Sequence, residues 1–325
     1  MLILVILVGG CSQSNDENSE QSEGSEEIEF KLAENQPDDN PVTIGMEKFS
    51  DLVEEKSDGN ISIDVYSNAQ LGEEEENVDQ VQSGELDMAR VNSVPVADIV
   101  GELSVFTLPY IFLDQENKYK VLDGEVGEEV TESFEDHDLV NLGYLEAGSR
   151  NFYTTDKPIK SVEDMKGMKI RVQPSEISSK MVELLGGTPT PMDYGEVFTS
   201  LQTGVIDGAE NDYVSFETSG HYDEAKNYTL DGHLDPPALL IVNKDTFEEL
   251  SEEQQDIIQE AADEAIEFEI AEMNEAQKEA EEKVKDEGVE VYDVDVQEFQ
   301  DAVEPIYEDF SEYEDLIDKT REEQE

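Results

Sequence analysis

The sequence predicts an α/β fold of two lobes braced by one long helix near the C-terminus. From Phe30 onward, short apolar segments with period-two alternation are separated by amphipathic segments with helical spacing. A second observation is an uninterrupted helical pattern from Ser251 to Gly288. At 1.5 Å per residue, such a helix would span on the order of 50 Å, which exceeds the width of one small lobe. The 325 residues are enough for two lobes that each bury a core.

The chain opens with a short apolar run that ends in its only cysteine, Cys11. Residues 7–11 read LVGGC and resemble a bacterial lipobox, in which cleavage before the cysteine leaves its thiol to carry diacylglycerol. The run is too short to span a bilayer, and a single cysteine cannot form an internal disulfide. The resemblance implies a lipoprotein signal over residues 1–11 and lipid attachment at Cys11. A free cysteine in the core is the alternative.

Both ends of the chain are polar. Residues 12–29 are rich in Ser, Glu, Asn and Gln and hold almost nothing to bury, so they are predicted to form a disordered acidic tether that is extended by its own charge. The last few residues have a similar composition and are predicted to be an acidic tail.

The first lobe is predicted over residues 30–145, with part of 232–325 added to it. Apolar residues recur at helical spacing from Met46 to Val53, and Gly59 stops that helix. The predicted elements of this lobe are, in order, a helix over 46–59, a strand over 61–66, a helix over 73–83, and strands over 86–91 and 139–146.

The second lobe is predicted over residues 146–231. After it, Ser251 and Gln254 form a capping-box pattern that opens the long helix. The apolar stripe of this helix suits packing on a globular surface better than a coiled-coil seam. The predicted elements of this part are strands at 152–153 and 168–173, helices at 175–185 and 195–203, the bridging helix over 251–288, and a strand, a helix and the tail over 289–325.

The net charge is −64, from 84 acidic and 20 basic residues that are spread along the whole chain. Such a charge repels phosphates, which excludes nucleic acid as a partner. It also destabilises a compact fold in dilute buffer, whereas a salt concentration near 1 M shortens the Debye length to about 3 Å. The composition therefore predicts a surface that faces saline surroundings, as on the outside of a halophile.

Arginine is the informative residue, because the chain has sixteen lysines but only four arginines. Three of them, Arg90, Arg150 and Arg171, fall in the predicted folded body. The planar guanidinium keeps its charge and grips a carboxylate through two parallel hydrogen bonds. Arg171 lies within a predicted strand among apolar residues, and Arg150 stands at a strand edge. These arginines are candidates for binding an organic carboxylate, with ion pairing to the chain's own acids as the alternative.

Several blocks of the sequence resemble one family of receptors. Residues 166–176 (KGMKIRVQPSE), 189–212 (PTPMDYGEVFTSLQTGVIDGAEND) and 219–231 (SGHYDEAKNYTLD) resemble the solute receptors of tripartite ATP-independent periplasmic (TRAP) transporters, the DctP-like family. Shorter matches follow the family's order at 33–37, 69–72 and 108–110.

The resemblance implies a periplasmic-binding-protein-like fold, whose two lobes close around a small organic carboxylate. It implies the membrane permease subunits of a TRAP transporter as partners, a monomeric receptor, and no cofactor. With the lipidated cysteine, the expected location is the outer face of the cell membrane, which is the periplasm if a second membrane is present.

The resemblance also implies the principal site residues. In such receptors a strand arginine forms the main salt bridge to the ligand carboxylate, and Arg171 stands at that position. Arg150 matches a second family arginine, and Asn211 matches a ligand-binding Asn that follows a Gly-Ala-Glu turn.

Four further residues are pocket candidates with open alternatives. Asn35, Asn92 and Tyr194 fall where polar and aromatic groups line the family's cleft, but a turn-forming or packing role suits them equally. Arg90 is a candidate as well, and pairing with a nearby acid is its alternative.

The blocks look most like family members that take up hexuronate-type sugar acids, so a uronate is the expected ligand. A C4-dicarboxylate is the alternative, since Arg90 would offer a second cationic anchor. A secreted saccharide hydrolase and a ligand presenter for a sensor kinase are the remaining classes of function.

Enzymatic and metal-binding patterns are weak. The three histidines lack a zinc spacing, and the chain has no nucleophile elbow, Walker loop or dinucleotide fingerprint. Asp207, Glu210 and Asp212 lack the alternating ligand positions of an EF-hand calcium loop. We therefore predict a binding protein without metal or reaction.

Overall fold

The computed structural model describes residues 27–324. The predicted signal over residues 1–11, the lipobox cysteine Cys11 and the tether up to residue 26 lie outside the described residues.

The strands of the described chain form two mixed sheets. The first has the order β2-β1-β3-β10-β4 and the second the order β11-β9-β5-β8-β6-β7. In the first sheet β1 pairs in parallel with β2 and β3, while β10 is antiparallel to β3 and β4. The strands are β1 Ile28–Ala33, β2 Ile61–Tyr66, β3 Met88–Asn92, β4 Leu139–Leu145, β5 Arg150–Thr154, β6 Lys169–Val172, β7 Thr188–Pro191, β8 Gly208–Asn211, β9 Asn227–Leu234, β10 Ala238–Asn243 and β11 Glu290–Asp293.

Helices cover both sheets, which gives the predicted α/β architecture of two lobes. The α-helices are α1 Pro41–Lys56, α2 Glu74–Ser83, α3 Ser93–Val96, α4 Gln115–Leu122, α5 Glu125–Ser133, α6 Glu176–Leu184, α7 Val197–Thr203, α8 Tyr213–Thr218, α9 Lys244–Glu248, α10 Glu252–Asp286, α11 Val296–Val303, α12 Ile306–Asp309 and α13 Glu314–Glu323. The 3₁₀ helices are Gly101–Thr107, Phe134–His137, Val162–Met165, Tyr194–Glu196, His221–Asp223 and Ser311–Tyr313. Two apolar clusters form the core, and each draws side chains from both lobes. The exact residue bounds of the lobes stay a prediction.

The long helix α10 spans the lobes, as its length predicted. The Ser251 hydroxyl accepts from the Gln254 backbone N–H, and the Gln254 side chain accepts from the Ser251 backbone N–H, so the capping box is confirmed. The helix packs on α1 and β4 of the first lobe and on α8 of the second. Among the described residues, no helix combines the length and the apolar character that a membrane span requires.

Two short crossovers join the sheets, residues 146–149 between β4 and β5 and residues 235–237 between β9 and β10. Lys118 of α4 contacts both of them, and its side chain is fully buried. Its Nζ lies 2.7 Å from Glu146 Oε1 and 2.6 Å from Asp235 Oδ1. One buried cation therefore ties the two crossovers together.

The structure corrects the predicted starts of one helix and one strand. The first helix begins at Pro41 rather than at residue 46, because the Asn40 side chain caps it by accepting from the Val42 N–H and proline suits the first helical position. Strand β1 begins at Ile28, inside the predicted tether of residues 12–29, since it pairs with β2 from that residue onward.

The C-terminal end also differs from the predicted acidic tail. Helix α13 runs to Glu323 with Thr320 fully buried. The Gln324 side chain donates to the Ile111 carbonyl at 3.0 Å and accepts from the Leu113 N–H at 2.8 Å. Composition misled here, because a few buried contacts fix a helix whose outer face is acidic.

Candidate functional site

A small cavity lies between the two sheets. The structure brings all seven predicted pocket residues to it, and these are Asn35, Arg90, Asn92, Arg150, Arg171, Tyr194 and Asn211. The prediction did not include seven others that line it, and these are Gln36, Val42, Glu74, Ala147, Gln173, Ser215 and Met273.

Strand ends position most of the polar groups. Asn35 follows β1, and Asn92 is the last residue of the neighbouring parallel strand β3. The carboxyl ends of parallel strands meet at one edge of a sheet, where α/β proteins commonly bind ligands. In the other sheet Arg171 lies in β6, and Asn211 ends the parallel neighbour β8. The cavity therefore lies where the carboxyl ends of parallel strands from the two sheets face each other.

Arg150 forms an ion pair with Glu210 of its own lobe. Its Nε and Nη2 donate to the two carboxylate oxygens of Glu210, and Nη1 donates to Asn211 Oδ1 at 2.8 Å. Burial alone lowers the pKa of Arg150, but the Glu210 charge outweighs burial and raises it. The alternative of pairing with an acid of the chain thus holds for Arg150, although the residue also lines the cavity.

His233 shares the Glu210 carboxylate. Its Nε2 lies 3.5 Å from Glu210 Oε2, and its Nδ1 lies 2.8 Å from Asp231 Oδ2. Burial lowers the pKa of His233, but the two carboxylates raise it to about 9. Burial likewise raises the pKa of Glu210, whereas Arg150 and His233 bring it to about 2. These buried charges therefore balance one another beneath the cavity.

Arg90 is also paired, in the first lobe. Its Nε donates to Glu34 Oε2 at 2.6 Å, and its Nη2 donates to Glu34 Oε1. Its Nη1 lies 3.6 Å from Glu74 Oε1, and Nη2 also donates to Asn35 Oδ1 at 3.3 Å. Two carboxylates offset this single buried cation.

Arg171 differs from the other two arginines. Its Nε and Nη2 donate to the Met192 carbonyl at 3.0 and 2.8 Å, but no carboxylate of the described chain lies within 4 Å of it. Its side chain is only 2% exposed, and burial lowers its pKa. The nearby His221 stays neutral, because burial and the Arg171 charge lower its pKa to about 3. Arg171 is thus a buried cation that faces the cavity without an acidic partner in the described chain.

The neutral candidates are partly occupied by protein contacts. Tyr194 donates to the Ser215 carbonyl at 3.0 Å, and its ring lies 5.7 Å from the Arg171 guanidinium carbon. Asn92 donates its backbone and side-chain N–H groups to Glu74 Oε1 at 3.0 and 2.8 Å. Asn35 accepts from Arg90. These contacts fix the orientation of the groups that line the cavity.

Glu74 and Gln173 line the cavity but were not predicted from the sequence. Gln173 follows β6 and donates from Nε2 to Glu74 Oε2 at 3.2 Å, so the pair joins the two lobes across the cavity. Glu74 stands in a run of four glutamates, Glu73 to Glu76, and nothing in the sequence marks it as the buried one. The position of Gln173 two residues after Arg171 was the available signal, since such residues face one side of an extended chain.

A family comparison decides what this cavity belongs to. The model of the DctP family, described as bacterial extracellular solute-binding protein, family 7, matches residues 32–313. The chain belongs to this family. Its members are solute-binding proteins rather than enzymes, and the described residues contain no group of side chains that could hold a metal ion.

Individual relatives agree with the DctP assignment. A solute-binding protein of Chromohalobacter salexigens is 39% identical over 275 residues, which are 84% of this chain and 82% of the relative. A TRAP periplasmic solute-binding protein from Xanthobacter autotrophicus, solved with β-D-galacturonate, superposes with a TM-score of 0.88 at 38% identity and covers 90% of this chain and 98% of its own. A TRAP periplasmic solute-binding protein from Chromohalobacter salexigens, solved with D-glucuronate, superposes with a TM-score of 0.88 at 37% identity. The match covers 90% of this chain and 99% of that protein. The two-lobed TRAP receptor fold and its extracytoplasmic class are therefore those of this chain.

Proposed function

We propose that this DctP-family protein is the receptor of a TRAP transporter for a hexuronate-type sugar acid, and that Arg171 binds the ligand carboxylate. The observation that carries the proposal is the charge of Arg171 in the cavity, which forms no ion pair with a carboxylate of the described chain. A buried cation without a partner is costly, and a ligand carboxylate would supply two charge-assisted hydrogen bonds to its planar fork.

The charges of the cavity favour one carboxylate over two. A C4-dicarboxylate needs a second cationic anchor, for which Arg90 was the candidate. The Glu34 carboxylate already takes two hydrogen bonds from Arg90, and Glu74 lies 3.6 Å away. The part of the cavity wall around Arg90 therefore carries no excess of positive charge, and it suits hydroxyl groups better than a second anion.

Neutral polar groups surround the rest of the cavity. Asn35, Asn92, Asn211 and Gln173 line it with amide groups that both donate and accept hydrogen bonds. A hydroxylated ring needs such groups, and a short aliphatic dicarboxylate does not. The galacturonate and glucuronate named for two solved relatives support the same class of ligand.

A thermal-shift screen tests this proposal. A ligand at about 100 times its Kd adds about 2.7 kcal/mol of stability, which corresponds to a rise in Tm of roughly 5 to 10 °C. Galacturonate or glucuronate is expected to give this rise, whereas succinate and malate are not. The reverse pattern would favour the dicarboxylate receptor, and a response to neither would remove the proposed ligand class.

We further propose that the receptor works as a monomer, delivers its ligand to TRAP permease subunits, and is held at the outer face of the membrane by a lipid on Cys11. The motif before Cys11 supports the anchor. Fractionation of cells that carry wild type or Cys11→Ser tests it, since only the wild type is expected in the membrane fraction.

A further inference from the structure

We infer that Glu74 selects the ligand, by accepting a hydrogen bond from a hydroxyl group of a uronate and by repelling the second carboxylate of a diacid. This inference rests on the proposed function and adds a residue and a rule of specificity to it. Glu74 is a carboxylate in the wall of a cavity that is proposed to bind a carboxylate, so its charge requires an explanation.

The contacts of Glu74 leave acceptor capacity toward the cavity. Oε1 accepts two hydrogen bonds from Asn92 and lies near Arg90. Oε2 accepts from Gln173 at 3.2 Å, which is its one hydrogen bond within the described chain. A carboxylate oxygen has about two lone-pair sites, so Oε2 keeps one for a further donor. A ligand hydroxyl is such a donor, and a ligand carboxylate is not.

Gln173 connects Arg171 and Glu74 in the wall of the cavity. Arg171 and Gln173 are two residues apart in extended chain, which separates their Cα atoms by about 7 Å. Both line the cavity, and Gln173 contacts Glu74. A ligand whose carboxylate binds Arg171 therefore shares the cavity with Glu74, which lies next to Gln173.

The charge of Glu74 is fixed in place rather than free to turn away. Its side chain is 10% exposed, and the first turn of α2 and the bonds from Asn92 hold it. A second anion brought beside it would meet a like charge in a site with little water, which is the kind of contact that suppresses a wrong ligand.

The test compares galacturonate with galactarate, its diacid in which a second carboxylate replaces the aldehyde carbon. Dissociation constants are measured by calorimetry for wild type, Glu74→Gln, Glu74→Asp and the matched control Glu75→Gln, which removes an exposed charge from the same helix. Glu74→Gln is expected to shift the ratio of the two constants toward galactarate by about tenfold or more. Glu74→Asp keeps the charge but is shorter, so it is expected to lose about tenfold in galacturonate affinity and still to reject galactarate.

Several results would overturn the inference. A Glu74→Gln protein with the wild-type ratio would show that the charge does not select, and a Glu74→Asp protein that binds galacturonate as tightly as wild type would remove the hydroxyl contact. If Glu75→Gln shifts the ratio as much as Glu74→Gln, the effect is a general one of net charge. Wild type that binds neither galacturonate nor glucuronate contradicts the proposed function itself, which separates the two failures.

Discussion

At the scale of single residues, the three buried arginines near the cavity look alike in sequence and differ in their partners. Arg90 and Arg150 each meet a glutamate, whereas Arg171 meets a backbone carbonyl. Truncating a paired arginine takes the main cationic partner from a buried carboxylate, whereas truncating Arg171 removes a cation whose hydrogen bonds in the described chain go to the Met192 carbonyl. Stability and ligand binding should therefore respond differently in the two kinds of variant.

Arg171→Ala is expected to abolish measurable binding of a uronate and to leave the melting temperature of the empty protein unchanged or higher. Loss of a buried charge partner costs about 2 to 5 kcal/mol of binding free energy. Arg171→Lys is expected to bind poorly too, since an ammonium is not a planar fork. Arg150→Ala is the matched control, expected to destabilise the fold by about 3 to 5 kcal/mol because the buried Glu210 loses its main cationic partner and keeps only His233. Calorimetry measures the uronate affinity of each variant, and thermal melts measure its stability. Wild-type affinity in Arg171→Ala would refute the assignment of Arg171 as the residue that binds the ligand carboxylate.

Half of the residues that line the cavity were accessible from the sequence, but the ion pairs of the arginines were not. Scarcity of arginine and the resemblance to TRAP receptors singled out Arg90, Arg150 and Arg171. The glutamates that pair with two of them lie 56 and 60 residues away in the chain. Among 84 acidic residues, no local pattern distinguishes Glu34 or Glu210. Pairing depends on which strands become neighbours, and this is a property of the folded topology.

At the scale of elements, α10 shows the same contrast between features that a local sequence signal predicts and features that tertiary packing sets. Its start was predicted because a capping box is a local signal. The burial of Glu269 halfway along it was not, since this residue is one of many acids in the helix. Glu269 is fully buried against Gly45 of α1, and its Oε2 accepts from the Glu146 N–H at 3.0 Å. Tertiary packing alone distinguishes it from the exposed acids around it.

Burial raises the pKa of Glu269 well above its usual value, with the Glu146 charge adding to this and Arg90 and Lys118 opposing it. The folded state therefore binds a proton that the unfolded state has released, and its contribution to stability falls as pH rises above the ordinary range of a glutamate. Glu269→Gln keeps the shape and does not titrate. It is expected to gain stability over wild type with rising pH, by at most about 1.4 kcal/mol per pH unit.

Urea melts of both proteins from pH 4 to 8 measure this difference, and the comparison cancels the titration of groups that do not interact with Glu269. Parallel curves for the two proteins would mean that folding does not raise the pKa of Glu269. A variant that loses stability relative to wild type as pH rises would contradict the sign of the prediction.

At the scale of the whole molecule, the few basic residues do not all lie on the surface. Within the described chain, Arg90, Lys118, Arg150 and Arg171 are buried, and the first three of these neutralise buried acids. Of the 20 basic residues, 16 therefore remain to offset a far larger number of acids outside the core. The surface ion pairs that they form are worth little individually. The surface thus carries an excess of negative charge that a salt solution, rather than the protein, must screen.

The melting temperature is expected to rise with NaCl or KCl from millimolar to molar concentration, because screening relieves the repulsion within a chain of net charge −64. A gain of about 2 kcal/mol would raise Tm by roughly 4 to 8 °C. The Debye length falls from about 30 Å at 0.01 M to about 10 Å at 0.1 M, so much of the rise should come at low salt. Sucrose at matched osmolality is the control, since it strengthens apolar burial without screening charge. A flat salt series, or an equal rise in sucrose, would remove the inference of a saline habitat.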